Sequence, residues 1–214
     1  MNIEFKNVIP NPIKDESFSK DCLWGNQILL HSNQNSLILA CSGKGKSTFT
    51  AYLAGLRIDY SGDIFIENRN IREFTKSEWT ILRRQKLAFI FQDLQLFENL
   101  TVKENLLIKN KITDFKSESE IKLMLSVLGI ENKWNQICGT LSLGQQQRVS
   151  IVRALLQPSE FLIMDEPFSH LDEENISLAS ELICSHCQEN SVGLVLTTLG
   201  QQYSIKWDKK VLIE

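Results

Sequence analysis

The segment Ala40-Cys41-Ser42-Gly43-Lys44-Gly45-Lys46-Ser47-Thr48 carries residue types that suit a phosphate cradle. It follows the apolar run Leu37–Ala40, which reads as a buried strand, so a Gly-rich turn sits where a strand passes into a helix. Gly43 and Gly45 let the backbone curl until its amide hydrogens point inward. Lys46 sets a positive charge against the outer phosphates, the Ser47 hydroxyl is a ligand for Mg2+, and the helix starting near Gly45 adds the dipole of its N-terminus. Ser42, Lys44 and Thr48 complete the predicted lining. Ala40 stands where the general pattern has its first glycine.

A second constellation lies at Phe161-Leu-Ile-Met-Asp165-Glu166-Pro167, an apolar strand ending in two carboxylates. Asp165 is the candidate holder of the Mg2+ hydration shell, and Glu166 is the candidate general base that polarises an attacking water. By itself an Asp-Glu-Pro corner is equally well a charged loop cap; behind a phosphate loop it becomes half of a phosphoryl-transfer site.

The elements that must position these residues follow from the apolar pattern. Leu37–Ala40, Leu87–Phe91, Phe161–Met164, Leu194–Leu196 and Val211–Ile213 are short unbroken apolar runs, as expected for strands buried on both faces. Segments long enough for helices separate most of them, which predicts an α/β fold with a mainly parallel sheet flanked by helices. Ile3–Val8 alternates and reads as an antiparallel N-terminal strand. From about Asp93 to Gln157 the pattern turns helical, over Thr101–Lys109, Glu118–Leu128 and Gln145–Leu156, with Pro158 as the stop. The division predicted is a nucleotide-binding α/β core over 1–92 and 158–214, with an inserted helical subdomain over 93–157.

Composition sets outer bounds. The 214 residues, 43 % hydrophobic and 23 % charged, suit one compact unit with a sizeable core. A net charge of −3 argues against a polybasic nucleic-acid or membrane-surface binder. The N-terminus lacks a charged head followed by an apolar run, and no stretch is long enough to span a bilayer, so any membrane part is expected from another chain. Five cysteines in irregular spacing point to reduced thiols in a cytoplasm. Cys184-Ser-His-Cys187 reads as one face of a helix rather than a metal half-site.

Leu141-Ser142-Leu143-Gly144-Gln145-Gln146-Gln147-Arg148 lies between the two constellations. With them it resembles the signature of ATP-binding-cassette ATPases, and the resemblance covers essentially the whole chain. Phosphate loop, Phe91-Gln92, signature, Asp165-Glu166 and Ser169-His170-Leu171-Asp172 stand in that family's order. The resemblance implies a phosphate-loop NTPase core, ATP and Mg2+ as ligands, and a second ATPase subunit, as a homodimer, closing over the nucleotide. It implies that Ser142, Gly144 and Gln145 face the γ-phosphate held by the partner copy, that Asp172 lines the dimer interface, and that Gln92 touches Mg2+, acts in catalysis with Lys46 and Glu166, and senses an integral-membrane permease. The metal set is then Ser47, Gln92 and Asp165. The run from Phe91 through Asn105 looks like the segment found in lipoprotein-releasing, macrolide-efflux and cell-division ATPases, as do Tyr60-Ser-Gly-Asp-Ile and the stretch ending Leu82-Arg83-Arg84. The expected location is cytoplasmic, peripheral at the inner face of the cell membrane.

The sequence departs from the family's pattern in three places. Leu143 replaces the signature's first glycine. Thr198 stands where the family has its switch histidine, and loss of such a donor costs about 10²–10³ in rate at comparable sites. Nor does an aromatic residue fall at the usual adenine position; Phe18 and Pro12 are the candidates. Cys41 inside the phosphate loop offers a thiol to modifying reagents. Two alternatives to a transport ATPase therefore stand, a regulatory ATP-binding module with weak hydrolysis and a non-transport cassette protein.

Overall fold

The computed structural model describes residues 1–40, 43–201 and 203–213. Among the described residues, nine strands form two sheets. The first is antiparallel, with β2 (Gln27–His31), β1 (Asn2–Pro10), β4 (Tyr60–Ile66) and the short β5 (Arg69–Asn70) side by side in that order. The second is parallel, ordered β6 (Leu87–Ile90), β7 (Phe161–Asp165), β8 (Gly193–Thr198), β3 (Ser36–Ala40) and β9 (Lys209–Ile213). All five apolar runs are strands of this parallel sheet, and Ile3–Val8 lies within antiparallel β1.

Alternation along the parallel strands divides the core in two. Leu37, Ala88, Ile90, Leu162, Met164, Leu194 and Leu196 face one hydrophobic cluster. Ile38, Ala40, Leu87, Phe161, Ile163, Val195 and Val211 face the other. Helices α3 (Val102–Asn110), α4 (Glu118–Val127), α5 (Leu143–Ala154) and α6 (Glu173–Asn190) supply the first cluster. Helix α1 (Lys46–Leu53) and the antiparallel sheet supply the second, where Phe49 stacks on Phe5 of β1 at 5.4 Å. Burial of a phenylalanine such as Phe49 contributes about 1.5–3 kcal/mol, so α1 is clamped between the sheets. Residues of 93–157 share their cluster with the parallel sheet.

Among the described residues, four helices begin with the same chemical device. Thr75, Thr101, Ser117 and Ser142 cap α2 (Lys76–Gln85), α3, α4 and α5, and the residue three positions on (Glu78, Glu104, Glu120 or Gln145) returns a side-chain bond to the cap amide. Bonds from Ser117 hold the Glu120 carboxyl down at about 2. These boxes correct the expected helix starts: α3 begins at Val102, and α5 at Leu143, two residues before Gln145. The last of these helices also ends early, at Ala154, ahead of Pro158. Gln157 there turns inward, its amide donating to the Arg83 and Leu87 carbonyls at 3.1 Å each.

Candidate functional site

The C-terminal ends of parallel strands are the usual ligand edge of such sheets, and here three of them assemble the site. β3 leads into the phosphate loop, β7 ends in Asp165, and β8 lies between them with Thr197 in register with Asp165. This order brings Lys46 Nζ to 3.2 Å from Glu166 Oε1, with Lys46 7 % and Glu166 16 % exposed. Ser47 Oγ lies 3.5 Å from Gln92 Oε1. Asp165 is buried, and its Oδ1 accepts a 2.5 Å bond from the Thr197 hydroxyl.

The loop holds its shape through glycine and a tryptophan. Gly43 and Gly45 have φ of 78° and 105°, which side-chain-bearing residues rarely adopt. Trp24 is fully buried behind the loop and donates its Nε1 hydrogen to the Lys44 carbonyl at 3.3 Å. A Cβ at Gly45 would sit 3.2 Å from its ring. Lys44 pairs with Glu16 at 3.3 Å, which ties the segment before Phe18 to the loop. Phe18 is half-buried beside Gly25, whereas Pro12 is exposed. Thr48 accepts a bond from Arg57 at 3.2 Å. Ser42 and Cys41 lie outside the described residues.

Glu166 adopts φ 49°, a left-handed conformation uncommon away from glycine, and backbone of this kind persists only when its surroundings fix it. Two contacts do so. The Glu166 amide donates to the Thr197 carbonyl at 3.2 Å, and the Gln147 side-chain amide donates to the Glu166 carbonyl at 3.2 Å. Gln147 Oε1 also accepts from the His170 amide at 2.9 Å. Helix α5 is thus bolted to the loop after β7.

The remaining sequence candidates sit at the other end of that loop. Ser142 and Gln145 spend their side chains on the α5 capping box. Gly144 packs so tightly that a Cβ there would lie 2.7 Å from the His170 carbonyl oxygen. Leu143 points outward, 56 % exposed. Among the described residues, no hydrogen bond or ion pair joins Ser142, Gly144 or Gln145 to Gly43–Thr48. Asp172 caps α6 through the Asn175 amide at 2.9 Å, and this bond lowers its pKa. Cys184 and Cys187 both lie on α6, with burial pushing the Cys187 thiol up to about 12.

From Ser47, Gln92 and Asp165 a trough of about 830 Å3 runs outward along the β6 edge, past Phe89, Phe91 and Arg83. The two phenylalanine rings are stacked at 5.5 Å. Leu94 and Gln95, just past Gln92, both have positive φ, and the Arg153 guanidinium holds their carbonyls at 2.9 and 2.5 Å.

A family model described as ABC transporter matches residues 27–169, spanning the phosphate loop, the signature and the Asp165–Glu166 corner. The chain belongs to the ABC transporter family. Among relatives of this ABC transporter chain, a lipoprotein-releasing system ATP-binding protein LolD of Buchnera aphidicola (subspecies Acyrthosiphon pisum) is 32 % identical over 192 residues, covering 86 % of this chain and 82 % of that one. The ABC transporter ATP-binding protein YtrE of Bacillus subtilis is 35 % identical over 164 residues, 75 % of this chain and 71 % of that one. The ATP-binding cassette MJ0796, solved as a dimer in a post-hydrolysis state bound to ADP and Pi, superposes with a TM-score of 0.76 at 25 % identity, covering 92 % of this chain and 87 % of that one.

Sequence reasoning did not single out Trp24, Gln147 or Thr197. Gln147 left one usable trace, a polar residue on the inward face of α5 next to Val149 and Ser150, all buried. Its bonds yield a stability prediction. Gln147→Leu leaves the His170 amide unpaired, at about 1–3 kcal/mol, while the Glu166 carbonyl keeps its bond from the Ser169 amide at 3.3 Å. A loss of about 2 kcal/mol lowers Tm by about 4–8 °C at this chain length. Scanning calorimetry should show that drop; a shift under about 2 °C would mean that water replaces the lost bond.

Proposed function

We propose that this chain is the ATP-binding and ATP-hydrolysing subunit of an ABC-type membrane complex, which drives a partner permease when two cassettes close over ATP. The observation that carries the reading is the convergence of Lys46 and Glu166, 3.2 Å apart at one strand edge, with Ser47, Gln92 and Asp165 beside them. The loop amides from Gly43 to Thr48, with Ser42, cradle the phosphates. Lys46 exchanges Glu166 for phosphate oxygens when nucleotide enters. Glu166, released, turns to the attacking water as general base. The site offers only oxygen ligands for a divalent cation, the Ser47 hydroxyl, the Gln92 carbonyl and the Asp165 carboxylate, a set suited to Mg2+. When bound, Mg2+ neutralises charge on the outer phosphates. Thr197 orients Asp165 for that role.

On this reading Ser142, Gly144 and Gln145 meet nucleotide held by a second copy, and Asp172 borders the seam. The dimer of MJ0796 supports a homodimer. Phe18 is the proposed adenine platform, because the Glu16–Lys44 pair holds its segment at the phosphate loop. The division into a core over 1–92 and 158–214 and a helical lever over 93–157 assigns the trough along Phe89 and Phe91 to a docked permease segment, which Gln92 senses from its inner end. Likeness to LolD proteins favours a permease of the lipoprotein-releasing type. Among the described residues no helix is long and apolar enough to cross a membrane, so we assign the chain to the cytoplasmic face, bound to the permease.

Two observations favour a second reading, a regulatory module with weak hydrolysis: Thr198 is 1 % exposed, and Leu143 projects outward at 56 %. Purification of tagged Glu166→Gln protein from detergent-solubilised native membranes in Mg-ATP separates the readings. A stoichiometric multi-spanning protein is expected. A soluble dimer alone would favour the regulatory module, and nucleic acid or ribosomes would favour a non-transport cassette.

A further inference from the structure

Three helices each bring one cation to the same groove. The trough that runs past Phe89 and Phe91 continues into a second hollow of about 350 Å3, and the two share Arg83, Phe89, Phe91 and Gln95. Phe97, Ile108 and Ile112 line that hollow and are exposed, so its rim is apolar. Its charged lining is entirely basic: Arg83 comes from α2, and Lys109 and Arg153 come from the last turns of α3 and α5. Among the described residues, no carboxylate pairs with any of the three. Asp93 and Asp165 line the inner stretch of the trough instead, and the Gln95 side chain engages Asp93. Arg83 donates to the Ala54 carbonyl at 2.9 Å, and Arg153 to the carbonyls of Leu94 and Gln95. The Lys109 ammonium has no such acceptor among the described residues, and burial, with the Arg153 charge beside it, pushes its pKa down to about 8. A half-buried ammonium next to a second cation costs free energy until an anion joins it.

We propose that the segment seated in this groove is apolar and carries an aspartate or glutamate whose carboxylate lands on Lys109 and Arg153. The inference rests on the permease reading above and names the chemistry that the permease segment presents. Charge complementarity selects it. A purely apolar segment would cover the ammonium and leave it with neither partner nor water, whereas a carboxylate supplies the missing partner. The apolar rim favours a chain segment over a lone anion, because an anion by itself would leave Phe97, Ile108 and Ile112 uncovered. Such a landing also bears on the nucleotide site. Arg153 clasps the Leu94 and Gln95 carbonyls of the turn just past Gln92, and Gln92 Oε1 lies 3.5 Å from Ser47 Oγ. A carboxylate on that guanidinium therefore acts on the loop that carries Gln92.

Native membranes holding the tagged full-length chain are solubilised in detergent and treated with a water-soluble carbodiimide, which condenses a carboxylate and an amine in contact into an amide with loss of water. The chain is then purified and its Lys109 peptide read by mass spectrometry. We expect Lys109 joined to an Asp or Glu side chain of a co-purified membrane-spanning protein. Lys109→Arg should keep that protein near parental recovery and lose the cross-link, while Lys109→Met should cut recovery at least about tenfold. Isolated Lys109→Met protein should melt no lower than the parent and bind ATP within about twofold, because the change removes an unpaired charge. A lower melting temperature would mark Lys109 as part of the fold and overturn the proposal. Parental recovery in Lys109→Met, with Lys109 uncross-linked in the parent, would overturn it and leave the permease reading standing. Weakened recovery with no carboxylate on Lys109 would also overturn it and assign the site to another anion, such as a lipid phosphate. If the parent chain brings down no membrane-spanning protein, the permease reading fails and the proposal with it.

Discussion

Glu166→Gln will lower ATP turnover by about 10²–10⁴-fold, the usual contribution of a positioned general base, while nucleotide binding holds or tightens. The amide has the shape of the carboxylate and makes the same bonds through its backbone, so the corner fixed by Thr197 and Gln147 survives. What it loses is the proton-accepting charge. It also loses the 3.2 Å ion pair that occupies Lys46 before nucleotide arrives, so ATP no longer competes with a carboxylate for the ammonium. Phosphate release under single-turnover conditions measures the first effect and titration calorimetry the second. Turnover within threefold of the parent would remove Glu166 from the chemistry.

Lys46→Ala will weaken ATP binding by about 10²–10⁴-fold. The ammonium is nearly buried, and charge-assisted bonds from such a group contribute about 1.5–3 kcal/mol each. Two of them, at about 1.4 kcal/mol per tenfold, give that range. The same change strands Glu166, 16 % exposed, without its cation, so part of the lost stability should return in the Lys46→Ala, Glu166→Gln double variant. Calorimetric binding and a thermal melt on the four proteins check both statements. Lys46→Ala protein that binds ATP within fivefold of the parent would show that the loop amides alone hold the phosphates.

These two residues show how much the sequence could say. Glycines, a lysine and a hydroxyl after an apolar run, and two carboxylates after another, are legible because buried strands are uniformly apolar and their ends are abruptly not. The signature was legible through its resemblance to the family's own; the capping box that Ser142 and Gln145 form was not read, so the expected start of α5 fell two residues late. The family followed from these motifs in their order, and the match over 27–169 bears it out.

Sequence by itself thus determined the chemistry available, the parallel core and the family. Only the tertiary structure decided which groups meet. Lys46 reaches Glu166 because β8 slots between β7 and β3, a strand order that no local pattern encodes. Trp24 behind the loop, Gln147 beneath Glu166 and Thr197 on Asp165 are ordinary residues in their own segments. Their roles arise from long-range packing, in which a side chain's partners are set by the sheet and helices around it rather than by its neighbours along the chain.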